Sequence, residues 1–265
     1  MQTFAYDTPT TLADAAAALR REDARLLAGG QSLLPAMRLG LAAPSALVDL
    51  GRLAELRGLR VDADTVTIGA ATTHAEVAAH AGLAAAIPAL ADLAGRIGDR
   101  QVRARGTIGG SLANDDPAAC YPAAVLGLGA TVVTDRRRIA ADDFFVAIYT
   151  TALEEGEIIG SVAFPRPRRA AWQKFKQPAS RFSLVGVFVS EGPAGVRVAV
   201  TGAGANGVFR ATELEARLVA DWSPQALAGA SVAPDELLDD LHGSAEYRAS
   251  LIPVLAARAV AATLG

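Results

Sequence analysis

The chain has 265 residues, 51% of them hydrophobic and only 5% aromatic, with a formal net charge of −3. That length buries a substantial core in one or two domains, packed from Ala, Leu and Val rather than from rings. The near-balance of charge does not point to a nucleic-acid or acidic-membrane binder; Arg136-Arg137-Arg138 and Arg166, Arg168 and Arg169 are local basic spots that read as solvated loops, with a partner-subunit contact as the alternative.

In chain order, Thr11-Leu12-Ala13-Asp14 reads as a helix N-cap continued by an Ala-rich run to Arg20. A short strand over Arg25 to Ala28 enters a glycine turn. A helical turn over Ser32 to Arg38 and a strand over Leu47 to Leu50 then close a small βαβ-like unit near residue 55. Leu59 to Val61 and Val66 to Ile68 form a hairpin turning at Asp62-Ala63-Asp64. Thr73-His74-Ala75-Glu76 is a capping box, and its helix ends by Gly82. One helix is expected over Ala84 to Ile97, then a second glycine turn, then a helix over Pro122 to Leu128. Strands follow at Thr131 to Thr134 and Ile158 to Phe164.

Pro165-Arg166-Pro167 reads as a linker, because two prolines exclude helix. Beyond it, Trp172 to Phe175, Leu184 to Val189 and Val196 to Val200 read as strands. Arg210 to Val219, short pieces around Ala226 and Leu237, and Ser244 to Leu264 read as helices. The fold class is α+β in three pieces: residues 1–55, 56–165 and 168–265.

Two segments carry the chemistry, Ala28-Gly29-Gly30-Gln31-Ser32 and Thr107-Ile108-Gly109-Gly110-Ser111. Paired glycines leave no side chain between backbone N–H groups and an approaching ligand, and a hydroxyl residue closes each run. One such turn is ordinary; two with the same grammar point to a phosphate-bearing dinucleotide gripped from both sides. His74 and His80 are spaced unsuitably for a shared metal, and no metal site is expected. The lone Cys120 excludes an internal disulfide or a cysteine-ligated cluster and reads as a buried thiol. The Ala-rich stretch near Ala84 is broken by Pro88 and Asp92. With no basic-then-apolar start either, the expectation is no integral membrane segment and a cytoplasmic location.

With these segments, Ile97-Gly98-Asp99, Asn114 to Pro117, Thr151-Ala152-Leu153 and His242 to Arg248, the chain resembles the FAD-binding medium subunit of the molybdenum hydroxylases. This is the family of xanthine dehydrogenase and carbon monoxide dehydrogenase. The resemblance implies a two-subdomain FAD-binding fold of the PCMH/vanillyl-alcohol-oxidase type plus a C-terminal sheet-and-helix domain. It places Leu27, Ala28, Gly29, Gly30, Gln31, Ser32, Leu33 and Leu34, with Thr107, Ile108, Gly109, Gly110 and Ser111, around the FAD pyrophosphate. Asn114, Asp116, Ile97 and Leu153 would line the rest of the site, with Lys176 near the flavin ring. It also implies partners, a large molybdopterin subunit and a small [2Fe–2S] subunit, in a dimer of heterotrimers. Cys120 departs from the aspartate usual in that family. Two alternatives are a flavin-free scaffold subunit of the same complex and an independent FAD-dependent oxidoreductase.

Overall fold

The computed structural model describes residues 3–264. The first unit holds β1 (Ala5–Asp7), α1 (Leu12–Ala18), β2 (Ala24–Leu27), α2 (Leu33–Arg38) and β3 (Ala46–Asp49). Its three strands are parallel in the order β1-β3-β2, and Thr11 caps α1 by accepting from the Asp14 N–H at 3.1 Å. Ala15, Val48, Leu50, Leu53 and Leu56 form its small core.

The second unit is built on five antiparallel strands in the order β4-β5-β10-β6-β7. These are β4 (Leu59–Val61), β5 (Thr65–Gly69), β6 (Thr131–Thr134), β7 (Arg138–Ala140) and β10 (Ile159–Pro165). Between β5 and β6 lie α3 (His74–Ala79), α4 (Ala81–Ala86), α5 (Pro88–Gly95), α6 (Arg100–Arg105), α7 (Ile108–Asn114) and α8 (Tyr121–Leu128). A short α9 (Ala141–Phe144) and the small pair β8 (Phe145–Ala147) and β9 (Thr150–Thr151) follow β7.

The third unit is an antiparallel sheet of β11 (Arg169–Lys176), β12 (Ser183–Gly192), β13 (Gly195–Thr201) and β14 (Phe209–Arg210), with α10 (Thr212–Ala220) and α11 (Ala245–Ala261). Its two faces bury different partners because strand side chains alternate. Ala171, Val189 and Val198 pack with α10 and α11. The adjacent cross-strand row Trp172, Phe188 and Ala199 joins the core of the second unit. Gly127 of α8 lets this happen, since a Cβ there would stand 2.9 Å from the Phe188 ring. A bidentate Arg197–Asp142 pair at 2.8 Å ties the same two units together.

Several expectations needed correction. The helix read over Ala84 to Ile97 is two helices, because Pro88 starts α5 and leaves Ile87 non-helical. The helices α6 and α7 were not expected, their glycines and arginines having read as loop. The second glycine pair is not a turn: Gly109 and Gly110 lie inside α7, which Thr107 caps. The helical turn read from Ser32 begins at Leu33, with Ser32 just before it. Leu237 lies in a turn bridged to Gly204, not in a helix.

Candidate cofactor site

The two glycine segments meet. A Cβ on Gly29 would lie 2.2 Å from the Arg105 carbonyl oxygen, and one on Gly110 would lie 3.4 Å from the Ala28 Cβ. At Gly29 only glycine fits, because a side chain there would enter the Arg105–Gly106 backbone. Gly30 has φ +70°, the left-handed region that glycine occupies without strain.

The segments then diverge in role. Among the described residues, the backbone N–H groups of Gly29, Gly30, Gln31 and Ser32 donate to no protein atom. In the second segment the donors from Ile108 onward are already used. Ile108 N–H donates to Thr72 O at 3.2 Å, Gly109 to Ala70 O at 2.9 Å, and Gly110 to Thr107 Oγ1 at 3.2 Å. The first segment therefore presents free donors, while the second supplies a side-chain-free wall held against β5. The Ser32 and Ser111 hydroxyls also have no protein partner among the described residues and line the same space.

That space is a cleft of about 970 Å³, at the upper end of the usual ligand-site range. Of the residues singled out from the sequence, Leu27, Ala28, Gly29, Gly30, Gln31, Ser32 and Leu33 line it, as do Ile97, Thr107, Gly109, Gly110, Ser111, Asn114, Asp116 and Leu153. Three do not. Leu34 packs beneath Gly30, where a Cβ would meet its Cδ1 at 2.9 Å, and Ile108 is fully buried in the core. Lys176 is exposed; the lysine in the wall is Lys174. Both have the parity of Trp172, but a register shift between Phe175 and Lys176 turns Lys176 out of the row.

Sequence reasoning also missed His74, Cys120, Arg181 and Phe182 in the wall. Lys174 Nζ donates to the Arg96 carbonyl oxygen at 3.1 Å and to Cys120 Sγ at 3.4 Å, and Ser183 Oγ lies 3.6 Å from that sulfur. The cysteine segment is pinned from below, where Thr201 Oγ1 donates to Ala119 O at 2.7 Å and Gly202 N–H to Pro117 O at 2.8 Å. His74 is 5% exposed, its ring centroid 5.3 Å from that of Tyr121, and its Nδ1 has no partner. Burial, helped by the Arg103 charge, pushes its pKa down to about 4, so it is neutral at pH 7. At the far rim, Glu157 accepts from Arg137, Thr134 and the Glu154 N–H, and the Arg137 guanidinium bond foremost holds its pKa down to about 2.

A family model described as the FAD binding domain in molybdopterin dehydrogenase matches residues 2–167. The chain belongs to this family, the FAD-binding medium subunits of molybdenum hydroxylases. The carbon monoxide dehydrogenase medium chain of Hydrogenophaga pseudoflava is 35% identical over 274 residues, covering 97% of this chain and 96% of that one. The nicotine 6-hydroxylase medium subunit of Paenarthrobacter nicotinovorans is 37% identical over 270 residues, covering 96% and 95%. Among solved structures, carbon monoxide dehydrogenase from Hydrogenophaga pseudoflava matches with a TM-score of 0.89 at 33% identity, over 99% of this chain and 98% of that one. Quinoline 2-oxidoreductase from Pseudomonas putida 86 matches with a TM-score of 0.88 at 30% identity, over 99% and 97%.

FAD is therefore the cofactor of this subunit, and the cleft suits it. Unpaired N–H groups beside free hydroxyls are what a diphosphate bridge requires. No helix among the described residues is long and apolar enough to cross a membrane.

Proposed function

We propose that this chain is the electron-transfer flavoprotein of a cytoplasmic heterotrimeric molybdenum hydroxylase. It takes electrons from [2Fe–2S] clusters on a small subunit, which receive them from a molybdopterin centre on a large subunit, and passes them to an external acceptor. The observation that carries this reading is the convergence of the two glycine segments on one dinucleotide-sized cleft, in a chain whose relatives are named as medium chains of multi-subunit enzymes. FAD supplies the redox chemistry when bound; the protein supplies position and electrostatics.

Gly29, Gly30, Gln31 and Ser32 hold the diphosphate bridge, and Gly109 and Gly110 leave it room. Ile97 and Leu153 give the two apolar contacts expected of ring and adenine. Val146 and Tyr149 on β8–β9, each 60% exposed, and Phe182, 54% exposed, offer apolar surface of the kind a partner subunit covers. We further propose a dimer of such heterotrimers as the assembly.

Co-expression with candidate large and small subunits tests the reading. The expected result is a complex containing one FAD per copy of this chain, whose flavin bleaches when substrate is added and recovers with acceptor. A complex that assembles and turns over without flavin absorbance would sink it in favour of a scaffold role. Flavin-dependent turnover by the chain alone would favour an independent oxidoreductase.

A further inference from the structure

His74 is the first residue of α3, and two contacts seat it against the second glycine segment. Its backbone N–H donates to the Gly106 carbonyl oxygen at 2.9 Å, and Thr73 forms a bridge with Thr107. The Thr73–Glu76 capping box fixes the start of the helix, with Thr73 N–H donating to the Glu76 carboxylate at 2.8 Å. Gly106 is thereby held between two neighbours. A Cβ there would stand 2.5 Å from His74 Nε2, and a Cβ on Gly29 would stand 2.6 Å from Gly106 Cα. One glycine thus separates the imidazole edge from the first segment and its unpaired N–H groups.

The two ring nitrogens differ in what they meet. Nδ1 is shut away from solvent without a partner, beside Tyr121, whose hydroxyl is orphaned as well. Nε2 also has no protein partner among the described residues, but it is not shut away, and His74 lines the cofactor cleft. A proton on Nδ1 would bury an unpaired donor, a rarer and costlier arrangement than an unused acceptor lone pair. The hydrogen-bond network therefore assigns the proton to Nε2, on the side open to the cleft. The ring is neutral at pH 7, so it offers one donor there. Arg103, whose charge the ring feels, is committed elsewhere, donating to the Ile97 and Gly98 carbonyl oxygens at 2.9 and 3.1 Å. Diphosphate oxygens accept hydrogen bonds and offer none in return, which matches a lone N–H at this place. We infer that His74 is a further FAD-binding residue, its Nε2–H donating to an oxygen of the diphosphate bridge alongside the N–H groups of Gly29 to Ser32. This role rests on the cleft being the FAD site.

FAD titration of the assembled, flavin-stripped complex tests this, with the flavin midpoint potential measured on each reloaded sample. His74→Phe keeps a ring, and His74→Asn stops the side chain at the level of Nδ1. Both lose the Nε2 donor and are expected to bind FAD about tenfold more weakly, the loss of one hydrogen bond to a charged group. His74→Gln, whose amide N–H reaches the Nε2 position, should bind within about threefold of the parent. None of the three should shift the flavin potential, because the diphosphate is not conjugated to the ring. Parent-like FAD affinity in His74→Phe or His74→Asn, or a His74→Gln as weak as they are, would overturn the inference. So would a loss accompanied by a shifted potential, which would put the contact at the ring. If one donor-less variant fails to fold, as read from its thermal melt, the other decides. A parent complex that assembles without FAD would instead refute the cofactor reading itself, a distinguishable failure.

Discussion

The backbone N–H of Tyr149 donates to the carbonyl oxygen of Asp115 at 3.0 Å, and both residues hold left-handed backbone, φ +55° and +42°. Tyr149 OH also donates to Asp116 at 3.2 Å, so the β8–β9 turn is latched onto the end of α7 at the cleft rim. Asp115 ends up buried there, 3% exposed. Burial, then the neighbouring Asp116 charge, pushes its pKa up to about 7.

This latch gives a pH dependence. The folded chain holds the Asp115 carboxyl protonated where the unfolded chain has already ionised it. Its contribution to stability is therefore full below pH 4 and is lost as pH rises through about 7. Asn is isosteric, uncharged and tolerated in left-handed backbone. Asp115→Asn should raise stability by about 2 kcal/mol at pH 8 and leave it unchanged at pH 4, read from urea midpoints.

His74 acts in the opposite direction. Its pKa is depressed, so its contribution is full above pH 6.5 and is lost as pH falls through about 4. His74→Phe keeps a ring beside Tyr121 and removes the unpaired Nδ1. By pH 5 the parent chain should have lost about 2 kcal/mol to this residue relative to pH 7, and the variant should not show that loss. Equal acid sensitivity in the two chains would disprove the assignment.

The glycines should separate folding from cofactor binding. A Cβ at Gly109 meets the Ala70 Cβ at 2.5 Å and one at Gly29 meets backbone at 2.2 Å, so Gly109→Ala and Gly29→Ala should cost about 1–3 kcal/mol in stability. At Gly110 the nearest atom is Thr107 Oγ1 at 3.0 Å, and the added methyl projects toward Ala28 across the cleft wall. Gly110→Ala should fold with near-parent stability yet purify with much less FAD per chain, measured by absorbance ratio.

Thr107 caps α7 through Gly110, and its backbone takes part in a bridge to Thr73. Thr107→Val keeps the shape and removes the cap, which should cost about 1 kcal/mol. FAD retention should fall with it, because in the proposed site the first turn of that helix forms the wall under the diphosphate.

The Arg197–Asp142 pair joins β13 to α9, with Arg197 at 10% side-chain exposure and Asp142 at 43%. The hydrogen bond from Arg197 foremost, and then its charge, hold the Asp142 carboxyl below its usual pKa range. Asp142→Ala strands the buried guanidinium and should cost about 3 kcal/mol, whereas Arg197→Met, which fills the space with an apolar chain, should cost less. Thermal melts of the two variants provide the comparison.

Local grammar was legible wherever neighbours in the chain decide structure. The Thr11 and Thr73 caps, the hairpin at Asp62-Ala63-Asp64 and the three strands of the last sheet follow from side chains acting on backbone within a few residues. The same holds for the two glycine segments, whose residue types alone point to a close-approach site. Residue chemistry along the chain thus determined the fold class, the family resemblance and which segments are proposed to hold FAD.

Tertiary structure decided how those pieces divide the work. Gly109 and Gly110 had to be seen against Ala70 and Ala28 to be helix wall rather than turn. Lys174 and Cys120 stand apart in the chain and meet only because Thr201 and Gly202 seat the cysteine segment on the last sheet. A register shift after Phe175, invisible to the alternation of side chains, sends one lysine into the cleft and its neighbour to solvent. Contacts between distant segments depend on how sheets and helices pack, and that packing is set by the whole core rather than by any short stretch of it.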